Sequence, residues 1–279
     1  MGSREWDSSA DAETGCVRRR VARFEDGSIE QTEDWIASEV PIAMSYNGEA
    51  HVVMLATPMD LQDFALGFSL SEAIIASSSE LETIRIDQRL EGIEIGMQIP
   101  QPRAEAIAAR QRNLSGRSSC GLCGTQQLED VLRHPPTLTA AIAITADAMH
   151  RALNSLAAAQ PLNLRTGATH AAAWSDIDGS LQLVREDVGR HNALDKLVGA
   201  MTRQAIDVQR GFLILTSRAS YEMVQKSATV GIGLIAAISA PTALAIHLAE
   251  SCGVTLIGFA RDDGHVVYTH PQRIVEQDT

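Results

Sequence analysis

Apolar residues recur along this chain with two different spacings, and the spacing decides which element each segment forms. From Val40 to Ala56 two short runs flank Asn47-Gly48, the strongest local signal for a β-hairpin, and predict two strands with a tight turn. Asp60 stands where an N-cap belongs, and Leu61, Phe64, Ala65, Phe68 and Ile74 follow at helical spacing. Ile84 to Ile99 reads as a second hairpin, with Ile93, Ile95 and Met97 alternating, and Pro102 to Asn113 as a short amphipathic helix. A loop of small residues from Ser115 to Gly124 then leads into a helix predicted over Thr125 to Leu132.

The second half alternates short apolar strands with helices. Strands are predicted at Leu181–Arg185, Phe212–Thr216, Leu234–Ile238 and Val254–Phe259. Between them lie a helix capped by Asn192, one starting near Ser220 and one opened by Ser239-Ala-Pro241 and closed by Gly253. Short apolar strands joined by helices predict an α/β fold, with a mainly parallel sheet sandwiched by helices in the C-terminal half and a smaller α+β N-terminal part. The domain reading is a disordered tail over 1–15, an N-terminal part over 16–136 and a cofactor-binding α/β domain over 137–279, with Pro135-Pro136 at the boundary.

Composition narrows the function classes. The 279 residues carry 23 Lys and Arg against 35 Asp and Glu, and the resulting net charge of -12 argues against non-specific nucleic-acid binding. Val230 to Ala249 is nearly apolar, but Ser239, Pro241, Thr242 and His247 interrupt it, so it reads as buried core rather than a membrane span. The first residues lack an apolar signal region, and four cysteines are too few for a disulfide framework; a cytoplasmic protein with reduced thiols is expected.

Three segments carry candidate chemistry. Parallel sheets bind ligands beyond the carboxyl ends of their strands, and three such ends read Thr216-Ser217-Arg218, Ser239-Ala240-Pro241-Thr242 and Phe259-Ala260-Arg261-Asp262-Asp263-Gly264. Taken singly each is an ordinary turn with a solvated side chain; the three together admit a site for an anionic ligand, because helix starts and guanidinium groups both favour one. Cys120-Gly-Leu-Cys123 is half of a structural zinc site, a redox dithiol, or a nucleophile with a neighbour. Zinc lacks two further ligands, since Cys16 and Cys252 are isolated, and no strand leads directly into the pair as a thioredoxin-like site requires. Arg117 and the predicted helix start would favour a thiolate. The third segment, Arg185-Glu-Asp187-Val-Gly189-Arg190-His191-Asn192-Ala-Leu-Asp195-Lys196, packs acid, base and imidazole at a strand–helix turn; it is either a salt-bridged helix start or the setting for a proton donor at His191.

These segments together are similar to the FdhD family, the accessory sulfurtransferases of formate dehydrogenase. The similarity runs through Glu39-Val-Pro41, Ser119 to Gly124, Thr166 to Ala171, Glu186 to Lys196, Ser217 to Lys226, Ser239 to Thr242 and Thr255 to Arg261. The resemblance implies a carrier that takes persulfide sulfur from a cysteine desulfurase. The sulfur passes to the molybdenum (or tungsten) cofactor, bis(molybdopterin guanine dinucleotide), before insertion into formate dehydrogenase. It places the persulfide on Cys120, with Cys123 as its partner, and the cofactor along Phe259, Ala260, Arg261, Asp262, Asp263 and Gly264. Ser217, Arg218, Thr242 and His191 are added to that site by their position. No permanently bound cofactor or metal is implied, GDP serves as a mimic of the bound cofactor, and a homodimer and a cytidine-deaminase-like fold are expected. Thr216-Ser217-Arg218 stands where many members have Ser-Gly-Arg, and Ala168 where a second Gly is common, so ligand geometry differs in detail.

Two other functions share parts of this pattern. A zinc nucleobase deaminase needs His-x-Glu and Pro-Cys-x-x-Cys, whereas this chain has His170-Ala-Ala and Ser119 before Cys120. A non-catalytic cofactor chaperone would use the same strand ends without needing the cysteines.

Overall fold

Two sheets, one from each half of the chain, carry the fold. The computed structural model describes residues 15–115, 135–139, 142–261 and 264–275. Residues 1–14 of the expected 1–15 tail, the Cys120–Cys123 loop and the helix predicted over Thr125–Leu132 lie outside the described residues, whereas Gly15 is buried and accepts Ser38 N at 2.8 Å. Asp262 and Asp263 also lie outside them.

The chain opens with an arm that the hydrophobic pattern did not disclose. β1 (Cys16–Glu25) and β2 (Ser28–Ala37) pair antiparallel over their whole length, from Cys16↔Ala37 to Glu25↔Ser28. Arginines and acids fill eight of the twenty positions and the apolar residues between them do not alternate, so no period-two apolar face exists to announce the strands. Asp26-Gly27, both at positive φ, makes the turn, and that dipeptide was the available signal.

The first sheet follows the two expected hairpins. β3 (Val40–Tyr46), β4 (Glu49–Ala56), β5 (Thr83–Arg89) and β6 (Gly92–Gln98) lie in the order β4-β3-β6-β5, with β3 and β6 parallel at its centre. Ile42, Met44, Ile93, Ile95 and Met97 point to one face and are buried against Phe64, Ala65 and Phe68 of α1 (Leu61–Ser71). α2 (Gln101–Ser115) reaches the same cluster through Ala104 and Ile107. Asp60 precedes α1 as expected but does not cap it: its backbone is left-handed at φ 54, and its carboxylate turns to Arg185, 3.7 Å away.

The second sheet is mixed, not mainly parallel. Its strands are β8 (His170–Asp176), β9 (Leu181–Asp187), β10 (Gly211–Leu215), β11 (Leu234–Ala237), β12 (Thr255–Arg261) and β13 (Gly264–Val267), ordered β13-β12-β11-β10-β8-β9. Only the β10–β11 and β11–β12 pairings are parallel, and a helix lies in the connection across each. β8 and β9 form a hairpin, and β13 folds straight back along β12; connections this short can join only antiparallel neighbours. Two-residue strands β7 (Ile144–Thr145) and β14 (Ile274–Val275) pair beside it.

Strand alternation gives this sheet two apolar faces, and helices cover both. Trp174, Leu213, Leu215, Ile235 and Leu256 pack under α5 (Arg190–Arg203), α6 (Tyr221–Thr229) and α7 (Ala243–Cys252). Phe212, Ile214, Ala236 and Ile257 face α3 (Ala146–Leu156), whose Met149, Ala152 and Leu156 are buried on them. The short α4 (Pro161–Thr166) precedes β8. Two expected caps shift. Gly189 is the N-cap of α5, because the Asn192 amide instead donates to Leu55 O at 2.9 Å and to Asp187 Oδ1 at 3.0 Å. Thr242 caps α7, because Pro241 is still extended and bridged to Ala219.

The two halves meet where α1 lies on α5. Gly67 and Gly199 make the crossing close: a Cβ at Gly67 would sit 1.7 Å from Asp195 O, and one at Gly199 1.9 Å from Asp63 O. Buried ionic ties cross the same seam. Asp63 accepts from Arg185 at 2.8 Å and Arg203 at 2.7 Å. Lys196 stands 2.7 Å from Asp187 and donates to Thr57 O at 2.9 Å, with both charged side chains fully buried. Asp195 accepts from Lys226 at 2.9 Å and from the Ser71 hydroxyl at 2.5 Å.

Candidate functional site

The strand registers put the candidate residues on one edge of the six-stranded sheet. His170, at the start of β8, pairs with Asp187 at the end of β9, and Ala172 pairs with Leu215 at the end of β10. Leu215 pairs in turn with Ala237 at the end of β11, and β12 runs parallel beside it toward Phe259. The three chain segments leaving β10, β11 and β12 are stitched together by backbone bonds. Thr242 N donates to Ala219 O at 3.1 Å, and Phe259 N donates to Ser239 O at 3.3 Å. The expected strand-end cluster therefore comes together, although only these three of its strands are parallel.

Within it, Ser217 is buried and its hydroxyl donates to Arg218 O at 3.1 Å, fixing the turn rather than facing outward. Arg218 and Arg261 are exposed and make no side-chain hydrogen bond or ion pair with any described residue. Thr242 is exposed, with its oxygen accepting Ala245 N at 3.3 Å, so its hydroxyl proton remains able to donate outward. Phe259 has φ 52, an uncommon state for a bulky residue, and is 41% exposed where the β12–β13 register shifts. Ala260 is buried, and Gly264 pairs with Arg261 at the start of β13. Two guanidinium groups with no partner among the described residues, on the strand-end edge from which α7 starts, suit a phosphate-bearing ligand.

His191 belongs to the same edge but to a different recess. It stands in the first turn of α5 and lines a cavity of about 360 Å³ between α1, α5 and α6, with Phe68, Glu72, Asp195, Glu222 and Lys226 among the walls. Its Nε2 lies 2.6 Å from Glu222 Oε2. Burial pulls the imidazole pKa down, Glu222 partly opposes this, and Arg190 and Lys226 reinforce it, so the ring is neutral at pH 7. Burial, with Arg190 nearby, lowers His170 as well. Lys226 is drawn up by Asp195 and Glu72 despite its burial, as expected for an ammonium held between two carboxylates.

Family comparison agrees with the sequence pattern. The FdhD/NarQ family profile matches residues 37–275. The chain belongs to the FdhD/NarQ family. It is 55% identical over 267 residues to the sulfur carrier protein FdhD of Xanthomonas euvesicatoria pv. vesicatoria, covering 96% of this chain and 95% of that one. It is 51% identical over 254 residues to the protein of the same name from Cupriavidus necator, covering 91% and 88%. The fold matches the crystal structure of a Desulfotalea psychrophila protein assigned as a formate dehydrogenase accessory protein. The TM-score is 0.72 at 22% identity, covering 93% of this chain and 99% of that one.

For this FdhD/NarQ member, the sequence points to the strand ends and to His191, but not to the other walls of the His191 recess. Glu72, Tyr221, Glu222, Gln225 and Lys226 are among those walls. A signal was present: Glu222 and Lys226 are four apart in a segment opened by Ser220, so both lie on one face of the helix it starts. Glu72 carried no such signal, because its partner Lys226 is 154 positions away in the chain. No helix among the described residues is long and apolar enough to cross a membrane.

Proposed function

We propose that this chain is a sulfur carrier that serves a formate dehydrogenase in the cytoplasm. Family membership carries the reading, with relatives over half identical named sulfur carrier proteins. Cys120 as a thiolate attacks the outer sulfur of a desulfurase persulfide; an S–S bond forms on Cys120 while the bond to the donor cysteine breaks, and the donor leaves as a thiolate. Cys123 assists from the same loop. The molybdenum (or tungsten) cofactor is the substrate that receives this sulfur. Its anionic nucleotide portion is held along Arg218, Thr242 and Arg261, beside Phe259, Ala260 and Gly264; Asp262 and Asp263 belong to the same proposed stretch. The loaded cofactor then passes to the dehydrogenase. A homodimer suits a cofactor with two like nucleotide arms.

The test replaces the cysteine. Cys120→Ala should fold, bind GDP as the wild type does, and leave formate dehydrogenase assembled but inactive. Mass spectrometry after incubation with a desulfurase and cysteine should place one added sulfur on the wild-type Cys120 peptide. Full dehydrogenase activity when both loop cysteines are replaced would instead make the protein a cofactor chaperone that moves no sulfur. Light scattering with and without GDP checks the dimer, which a monomer under both conditions refutes.

A further inference from the structure

The arm formed by β1 and β2 has features that the sulfur chemistry does not use. Each strand is ten residues long, roughly 33 Å, and both outer edges are unpaired among the described residues. The base is tied down: Ser38 N donates to Gly15 O at 2.8 Å, Cys16 is buried, and the Trp35 ring lies beneath the Arg165 guanidinium at 5.7 Å. Toward the turn the side chains are largely exposed. Phe24 and Ile29, opposite each other in the register, are 72% and 69% exposed. A two-stranded ribbon standing alone is marginally stable in water, and this apolar pair stays wet unless another surface covers it.

Charge on the arm is sorted by strand. β1 carries Arg18, Arg19, Arg20 and Arg23, with Glu25 at its end, and β2 carries Glu30, Glu33 and Asp34. Alternation puts Arg18, Arg20 and Phe24 on one face, with Trp35, Glu33 and Ile29 opposite them. The Arg18–Glu33 ion pair, at 3.2 Å, is exposed at both ends and holds little. This sorting decides how two such arms can meet. Joined edge to edge about a two-fold axis, like strand pairs with like, setting arginines against arginines or acids against acids. Stacked face to face with the axis across the ribbon, β1 again lies over β1. With the axis along the ribbon, each β1 lies over the β2 of the other copy at the same level, and opposite charges meet.

We propose that the outer halves of the arms of two copies of this chain stack face to face, with the two-fold axis along the arms. Phe24 of each copy covers the partner's Ile29, and Arg20 of each meets the partner's Glu33. The base of the same face is left to Arg165, which already lies over Trp35. The proposal rests on the homodimer reading above and adds to it a surface through which the copies hold each other.

Sedimentation equilibrium of the full chain tests it, each variant first shown to keep the wild-type circular dichroism. The wild type should be dimeric, and Phe24→Asp should weaken the dimer by about tenfold or more. Arg20→Glu and Glu33→Arg should each weaken it by about tenfold, because each sets like charges against each other across the stack. An equal mixture of those two variants should dimerise within about threefold of the wild type, since the two changed positions then face each other with opposite charge. Within each chain the altered hairpin keeps its own charge clash, so a repaired hairpin cannot produce that recovery. A dimeric wild type with Phe24→Asp equally tight, or with a mixture no tighter than either variant alone, overturns the arm contact and leaves the homodimer reading standing. A wild type that stays monomeric overturns both.

Discussion

The contact between α1 and α5 yields a prediction whose sign alone is decisive. In an open helix, Gly→Ala stabilises by about 1 kcal/mol, because alanine loses less backbone freedom on folding. At Gly67 the added methyl would stand 1.7 Å from the Asp195 carbonyl, where ordinary contact begins near 3.4 Å. The obstacle is helix backbone, which cannot swing aside as a side chain does. Relief requires the helices to part by about 1.5 Å from a normal axial separation of roughly 8–10 Å. That movement pulls on the Asp63–Arg203 and Asp195–Ser71 contacts and loosens Phe64 and Phe68 in the core. Overpacking typically costs about 1–3 kcal/mol, and the strained polar ties add to it, so Gly67→Ala should lose about 2–4 kcal/mol net. Urea unfolding followed by circular dichroism measures this. Gly96→Ala is the control, since a Cβ there meets only Ser45 Oγ at 3.8 Å; it should be neutral or stabilising by up to about 1 kcal/mol. A Gly67→Ala protein as stable as the wild type or more so would refute the close-contact reasoning.

Lys196→Met removes the counter-charge of fully buried Asp187 and leaves Thr57 O without its donor; unfolding should show a loss of about 3–5 kcal/mol, and a loss under 1 kcal/mol would mean the pair is not buried as described. Burial lowers the folded-state pKa of His170, His191 and His265, so the unfolded chain binds more protons as pH falls below about 6.5 and stability should decline there. Ring NMR should find all three histidines titrating below about 6.5; titration of His191 above that value would contradict its neutral state. Arg261→Ala should weaken GDP binding by about tenfold, and unchanged affinity in calorimetry would remove that residue from the phosphate edge.

Most of the fold was legible where an apolar face repeats with one period. The Asn47-Gly48 hairpin, α1, α2 and the parallel trio β10, β11 and β12 all have a buried side that the sequence must pay for in Ile, Leu, Val or Ala. The arm was not legible, because β1 and β2 bury almost nothing. The mixed character of the second sheet was hidden because β8 is an Ala-rich strand whose direction is set by its short turn into β9. At the site, Ser217, Arg218, Thr242 and Phe259–Arg261 were visible because strand ends are local in sequence. The His191 recess was not, because its walls come from β4, α1, α5 and α6 and meet only through tertiary packing.

The seam also limits how such chains can be recombined. A hybrid joined in the 115–135 interval would take Thr57, Asp63, Gly67, Ser71 and Glu72 from one parent and Arg185, Asp187, Asp195, Lys196, Gly199 and Lys226 from another. Each polar group in the first set has its partner in the second, and the two glycines must face unobstructed backbone. A parent differing at one of these positions would hand its hybrid a stranded charge or a steric block. Exchanges along the lineage should therefore carry both sides of the seam together; the arm shares none of these ties, but its Trp35 lies under Arg165 of the second half, a further pairing to keep intact.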